Sequence, residues 1–219
     1  MLYCWQFEKK RKGWDGLIAI IDYDAGNLKS VEKAFGALGQ ETVVTSDPKR
    51  ILSCDAAVLP GVGSFGVAAS HIRQRGLDEA IGRFIDTGKS FLGICLGLQL
   101  LFEASEESPD GKGLGIFPGR ILKIPPGEGL KIPHIGWNSL SISPQSRIFH
   151  SIGEQPYVYF VHSYYLQAEN LKIVSATTEY GVKIHAAIES DNVCAMQFHP
   201  EKSGKVGLAI LQNFIHSIA

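Results

Sequence analysis

Apolar residues come in two rhythms along this chain, and the rhythm changes near its middle. Residues 17–21 (Leu-Ile-Ala-Ile-Ile) form an unbroken apolar run closed by Asp22, the mark of a strand buried on both faces. Residues 27–38 then place Leu28, Val31, Phe35 and Leu38 at helical spacing and stop at Gly39. Further strands are predicted over 42–44, 55–59 and 90–94, with a helical region over 64–86 and a helix over 98–107. This alternation predicts an α/β fold whose sheet is mostly parallel, with helices on its flanks.

The second half reads differently. Short strand candidates at 120–124, 139–142, 157–161, 173–177, 184–189 and 193–198 follow one another across turns. They predict antiparallel strands added to the sheet or folded against it. A closing helix over 205–218 turns Val206, Leu208, Ile210, Leu211, Phe214 and Ile215 inward. No repeat and no linker divides the chain, so residues 17–219 read as one domain.

Composition narrows the function. The chain has 219 residues, 45% of them hydrophobic, and a net charge of −1, which offers no electrostatic reason to bind nucleic acid or an acidic membrane. No apolar stretch reaches the roughly 20 residues that span a bilayer. The basic run Lys9-Lys10-Arg11-Lys12 is followed by Gly13-Trp14-Asp15-Gly16 rather than an apolar segment, so it does not read as a signal peptide. Residues 1–16 are expected to be an extension outside the fold. The four cysteines form no CxxC pair and no zinc spacing, so reduced thiols in a cytoplasm and no metal or other cofactor are expected.

One thiol stands apart. Gly93-Ile94-Cys95-Leu96-Gly97 follows a predicted buried strand and opens a predicted helix, the form of a nucleophile elbow with cysteine in the nucleophile position. A sharp strand-to-helix turn crowds the neighbouring backbone, and flanking glycines relieve that crowding. The turn lifts the sulfur to the carboxyl end of the sheet and to a helix N-terminus, where a thiolate is favoured. Cys54 and Cys194 lack such flanks and read as core thiols.

A thiolate nucleophile needs a proton carrier. His71, His150 and His216 stand in polar or helical-surface contexts, whereas His199 ends a predicted strand in His199-Pro200-Glu201. Glu201 is then placed to orient one imidazole nitrogen and leave the other for the sulfur. Oxyanion donors are expected from the Leu96 N–H and from Pro60-Gly61-Val62-Gly63; the latter reads equally well as an ordinary glycine turn. To this point the residues describe a cysteine acyl-transfer enzyme.

Gly93-Ile94-Cys95-Leu96-Gly97-Leu98-Gln99 together with Phe198-His199-Pro200-Glu201-Lys202-Ser203 resembles the class I glutamine amidotransferases, over nearly everything from Leu17 onward. The resemblance implies a flavodoxin-like sheet, L-glutamine as substrate, and Cys95, His199 and Glu201 as the triad. It also implies that Gln99, Glu107 and the main chain at Ser163 and Tyr164 hold glutamine, with Gly61, Val62, Gly63 and Leu96 around the oxyanion.

Within the family, Ile21-Asp22-Tyr23-Asp24-Ala25-Gly26-Asn27-Leu28-Lys29-Ser30-Val31, Pro60-Gly61-Val62-Gly63-Ser64-Phe65-Gly66, Pro133-His134-Ile135-Gly136-Trp137-Asn138 and Phe160-Val161-His162-Ser163-Tyr164-Tyr165 are similar to glutaminase subunits of histidine biosynthesis. Such subunits form heterodimers with a (β/α)₈-barrel cyclase that receives the ammonia. The resemblance therefore implies that partner, and Asp24, Asn27, Pro133, Trp137 and Asn138 become candidates for its interface. For Trp137 a core position stays open as the alternative. A glutaminase subunit of another amidotransferase, or a cysteine hydrolase on the same fold, would use the same elbow.

Overall fold

The structure, a computed structural model, describes residues 16–24 and 26–218. The expected N-terminal extension therefore lies outside the described residues except for Gly16. The run at residues 17–21 becomes β1 (Ile18–Ile21), and its side chains explain the absence of alternation. Ala19 and Ile21 enter one apolar cluster, while Ile18 and Ile20 enter a second on the other face. A strand covered on both sides has no polar positions to show.

After β1 come α1 (Leu28–Ala37), β2 (Thr42–Thr45), α2 (Pro48–Ser53) and β3 (Ala56–Gly61). The helical region predicted over 64–86 is two helices, α3 (Phe65–Gln74) and α4 (Leu77–Asp86). They part at Gly76, whose φ of 65° is a left-handed conformation that ends a helix. Next is β4 (Ser90–Cys95), which runs straight into α5 (Leu96–Leu100).

Helix α5 is shorter than the helix predicted over 98–107, and the hydrogen bonds show why. The carbonyls of Leu100, Leu101, Phe102 and Glu103 are taken by the N–H groups of Leu114, Phe117, Gly115 and Gly113. A returning segment thus ends the helix where residues further along would have continued it. Only glycine permits that approach at position 113, where a Cβ would stand 1.8 Å from the Phe102 carbonyl oxygen.

The second half supplies β5 (Ala104–Ser105), β6 (Ser108–Lys112), β7 (Gly119–Lys123), β8 (His134–Ser139) and β9 (Ser141–Ile142). It continues with β10 (Tyr157–His162), β11 (Tyr164–Ala168), β12 (Val174–Glu179), β13 (Lys183–Ser190) and β14 (Val193–Met196). The chain ends in α6 (Gly204–His216).

Among the described residues, an eight-stranded sheet runs in the order β2-β1-β3-β4-β14-β13-β12-β9. Its first five strands are parallel, and the last three extend it antiparallel. Two smaller sheets, β10-β8 and β11-β7-β5-β6, fold beside it. The expectation for the second half is met by β13, β12 and β9, which lengthen the sheet antiparallel, and by the strands that fold beside it, but not by β14, which was expected to be antiparallel and instead pairs parallel with β4. Helices α3 and α4 bring Phe65, Ile72, Ile81 and Phe84 to one face, while α1 and α6 bring Phe35, Ile210 and Phe214 to the other. This places the carboxyl ends of β1, β3, β4 and β14 side by side, and the candidate residues gather at that edge.

Candidate active site

Cys95 is the last residue of β4 and the N-cap of α5, with φ 55° and ψ −108°. A non-glycine residue in that conformation is strained and persists only when its surroundings enforce it. Gly97 and Gly93 do so here. A Cβ on Gly97 would meet the Leu59 carbonyl oxygen at 1.8 Å, and one on Gly93 would meet Ala195 Cβ at 3.0 Å and the Gly97 carbonyl at 3.1 Å. The elbow is wedged against β3 and β14, and its glycines are what let it fit.

His199 follows β14 and is held from three sides. Its N–H donates to the Tyr159 carbonyl at 2.9 Å, and its own carbonyl accepts from Ser203 Oγ at 2.7 Å. Its Nδ1 lies 2.8 Å from Glu201 Oε1. Glu201 accepts in addition from Asn27 Nδ2, 2.5 Å away on the same oxygen. The side chains of His199 and Glu201 are both inaccessible to water.

His199 Nε2 is buried without a hydrogen-bond partner among the described residues. Burial alone would lower the imidazole pKa, but the neighbouring Cys95 sulfur and the bond and charge of Glu201 favour the charged ring and raise it to about 9. With Nδ1 committed to Glu201, Nε2 is the nitrogen left for the sulfur and for substrate.

The remaining sequence-predicted residues fall around this core. Gly61 pairs with Cys95 in the β3–β4 ladder, and Leu96 is buried directly beyond the sulfur. Val62 and Gly63 are exposed, and Gly63 adopts φ 110°. Gln99 is buried, with Nε2 donating to the Tyr164 carbonyl at 3.2 Å and to Gln197 Oε1 at 3.0 Å. Glu107 accepts from the Phe65 N–H at 2.6 Å, so one of its oxygens caps α3. Ser163 joins β10 to β11, and its carbonyl accepts from the Ile124 N–H at 3.0 Å.

The interface candidates divide. Trp137 is 54% exposed beside Ile135 at 59%, which removes the core alternative for the tryptophan. Asn138 donates its amide to the Glu179 carbonyl at 2.9 Å. Pro133 follows a cis peptide bond just before β8. Asp24 is ion-paired with Arg75. Asn27 spends its amide on Glu201 and so supports the triad from 174 residues away.

Sequence reasoning missed Gln197, whose Nε2 points at Cys95 Sγ from 3.6 Å, and Tyr23. The Tyr23 hydroxyl lies under Gly61, where a Cβ would meet it at 2.1 Å, and it has no hydrogen-bond partner among the described residues. Burial first, and Cys95 second, push this phenol well above its ordinary range. The signal for Gln197 was the strand alternation, which puts it on the same side as His199.

Cys54 and Cys194 are buried, as expected of core thiols, and burial pushes the Cys194 pKa up to about 12. No cluster suited to a metal ion occurs among the described residues. A cavity of about 710 Å³, lined by Lys89, Arg147, Glu189 and Asn192, opens at the other end of β4 and β14 and shares no residue with the Cys95 cluster.

Known proteins resemble this chain over nearly its whole length. The family description "Glutamine amidotransferase class-I" matches residues 19–218. The imidazole glycerol phosphate synthase subunit HisH of Methanothermobacter thermautotrophicus is 52% identical over 202 residues, covering 92% of this chain and 99% of that protein. The HisH subunit of Caldanaerobacter subterraneus subsp. tengcongensis is 50% identical over 198 residues, covering 90% of this chain and 97% of that protein. Among solved structures, PurLQS from Thermotoga maritima superposes with a TM-score of 0.73 at 20% identity, covering 94% of this chain and 100% of that one. At that identity the likeness speaks for the fold alone, whereas the family match spans nearly the whole chain: it belongs to the class I glutamine amidotransferases.

Proposed function

We propose that this chain is the glutaminase subunit of an imidazole glycerol phosphate synthase. It hydrolyses L-glutamine to glutamate and ammonia and passes the ammonia to a (β/α)₈-barrel cyclase in the cytoplasm. The observation that carries the chemistry is the strained Cys95 elbow beside a buried His199 whose other nitrogen is fixed by Glu201. The histidine-biosynthesis role rests on the HisH relatives, which match over 99% and 97% of their length.

The residues divide the reaction as follows. Cys95 Sγ attacks the δ-carbonyl of glutamine, and the carbonyl oxygen becomes an oxyanion. The Leu96 N–H, at the start of α5, is one donor to it, and the Gly61-Val62-Gly63 segment supplies the second. His199, protonated near neutral pH, gives its proton to the departing ammonia, leaving a γ-glutamyl thioester on Cys95. The now neutral His199 takes a proton from water, hydroxide adds to the thioester, and glutamate leaves as the thiolate returns. Glu201, held by Asn27, keeps the ring in the tautomer this requires.

Gln99 Oε1 and the free oxygen of Glu107 are acceptors suited to the substrate ammonium, and main chain at Ser163 and Tyr164 would meet its carboxylate end. Exposed Ile135 and Trp137 on β8 offer the cyclase an apolar contact, and Pro133, Asn138, Asp24 and Asn27 are the further candidates for that interface. Direct transfer suits the product, because ammonia released into water is protonated and loses its nucleophilicity.

The test is glutamate release with and without the cyclase subunit and its nucleotide ligand, with Cys95→Ala as control. Partner-stimulated release that vanishes in Cys95→Ala is expected. Release unaffected by Cys95→Ala would remove the triad, and release indifferent to the cyclase would remove the pathway.

A further inference from the structure

The side chain of Gln197 is completely buried, and its carboxamide links the nucleophile to Gln99. Its Nε2 points at Cys95 Sγ from 3.6 Å, and its Oε1 accepts from Gln99 Nε2 at 3.0 Å. The other hydrogen of the Gln99 amide goes to the Tyr164 carbonyl at 3.2 Å, which also accepts from His162 Nδ1 at 2.9 Å. The orientation of Gln197 follows from these bonds. Turned over, its NH₂ would face the NH₂ of Gln99 and its oxygen would face the sulfur, giving a donor–donor clash and an acceptor against a thiolate.

We propose that Gln197 is a positioning residue that sets the Cys95 sulfur for attack and, through the same amide, decides which atom Gln99 offers to glutamine. The proposal rests on the glutaminase reading above. An N–H aimed at sulfur favours the thiolate, because a thiol sulfur is a poor acceptor and a thiolate a good one. The bond is made where water is excluded, so it holds the anion more firmly than the same bond at a surface. Gln99, with both amide hydrogens committed, is left with Oε1 for substrate. An acceptor is what the ammonium of glutamine requires; without Gln197, the Gln99 amide is free to turn and present a donor instead.

Gln197→Met tests this, since methionine fills a similar volume and donates no hydrogen bond. Iodoacetamide alkylation of Cys95 in the full chain, followed by mass spectrometry from about pH 5 to about pH 10, reads the thiolate without glutamine. The profile is expected to move to higher pH, with neutral-pH alkylation slowed about tenfold. With the cyclase present, kcat is expected to fall about 10- to 100-fold and KM for glutamine to rise. A variant with the wild-type alkylation profile overturns the proposal, because a side chain that only fills space would leave it unmoved.

Should Gln197→Met not fold, the wild-type chain decides. With glutamine side-chain nitrogens labelled for NMR, one amide pair is expected to titrate with the Cys95 alkylation midpoint, and the absence of such a pair overturns the proposal. A wild-type chain without Cys95-dependent glutamate release would defeat the glutaminase reading instead, and alkylation would still settle the Gln197 contact.

Discussion

Asn27 Nδ2 and His199 Nδ1 meet on one oxygen of Glu201, at 2.5 Å and 2.8 Å. Asn27 sits at the start of α1 in a left-handed conformation, φ 74°, which asparagine tolerates better than most residues. The carboxylate that orients the histidine is thereby oriented in turn, from the far end of the chain.

Replacing Asn27 with glycine keeps the left-handed backbone and deletes only the amide. A hydrogen bond to a buried charge contributes about 1.5–3 kcal/mol, so kcat is expected to fall about 10- to 100-fold. The melting temperature should change little by comparison, since glycine suits the positive φ. Glutamate release in the presence of the cyclase measures the first, and thermal denaturation the second. Unchanged kcat would mean that His199 needs only Glu201 to hold it.

Gly61 tests how tightly the oxyanion side of the site is built. A Cβ there meets the Tyr23 hydroxyl at 2.1 Å and Leu96 Cβ at 3.0 Å, so Gly61→Ala is expected to cost about 1–3 kcal/mol of stability. Tyr23→Phe removes the nearer clash, together with a buried hydroxyl that has no partner among the described residues. The double variant should therefore be more stable than Gly61→Ala alone. Strictly additive effects in chemical denaturation would show that the two residues do not meet.

The parallel half of the fold was legible because its strands are continuous apolar runs and its helices repeat at 3.6 residues. The elbow was legible because Gly93, Cys95 and Gly97 carry their steric requirement in their spacing. What was not legible depends on partners distant in sequence. Helix α5 stops early because residues 113–117 return to its carbonyls. Strand β8 was hidden since Ile135 and Trp137 are exposed apolar residues flanking Gly136, a pattern that reads as a contact surface and not as a ladder. Strand alternation puts Gln197 on the side of His199, but the contacts of Gln197 with Cys95 and of Asn27 with Glu201 span 102 and 174 residues, which no local pattern reveals.

Two buried histidines are expected to make the fold sensitive to acid. His134 Nδ1 and His162 Nε2 are 3.1 Å apart, and His134 stacks on Tyr180 with ring centroids 3.8 Å apart. Burial lowers the pKa of His134 to about 4; burial, together with His134 and His199, lowers that of His162 to about 3. The unfolded chain takes up these protons near pH 6.5, while the folded chain refuses them until well below. Stability is therefore expected to fall as pH drops from about 6.5 toward about 4, by at most about 1.4 kcal/mol per pH unit for each histidine. His162→Gln should flatten this slope in thermal melts. An equally steep slope in the variant would place the acid sensitivity elsewhere.

His199 carries the opposite sign. Its pKa in the fold, about 9, lies above the ordinary 6.5, because the imidazolium is favoured by Cys95 and Glu201 despite its burial. The stability it adds is fully present below about pH 6.5 and is lost as pH rises through about 9. Other groups also titrate in that range, so the informative quantity is the difference between wild type and His199→Asn, whose carboxamide cannot ionise. That difference is expected to shrink steadily between pH 6.5 and pH 9 in denaturant melts. Activity should follow the same limb, since an imidazole that has lost its proton has none to give the departing ammonia. A stability difference that stays flat across this interval would show that His199 is neutral in the fold, and the proton for ammonia would then have to come from another donor.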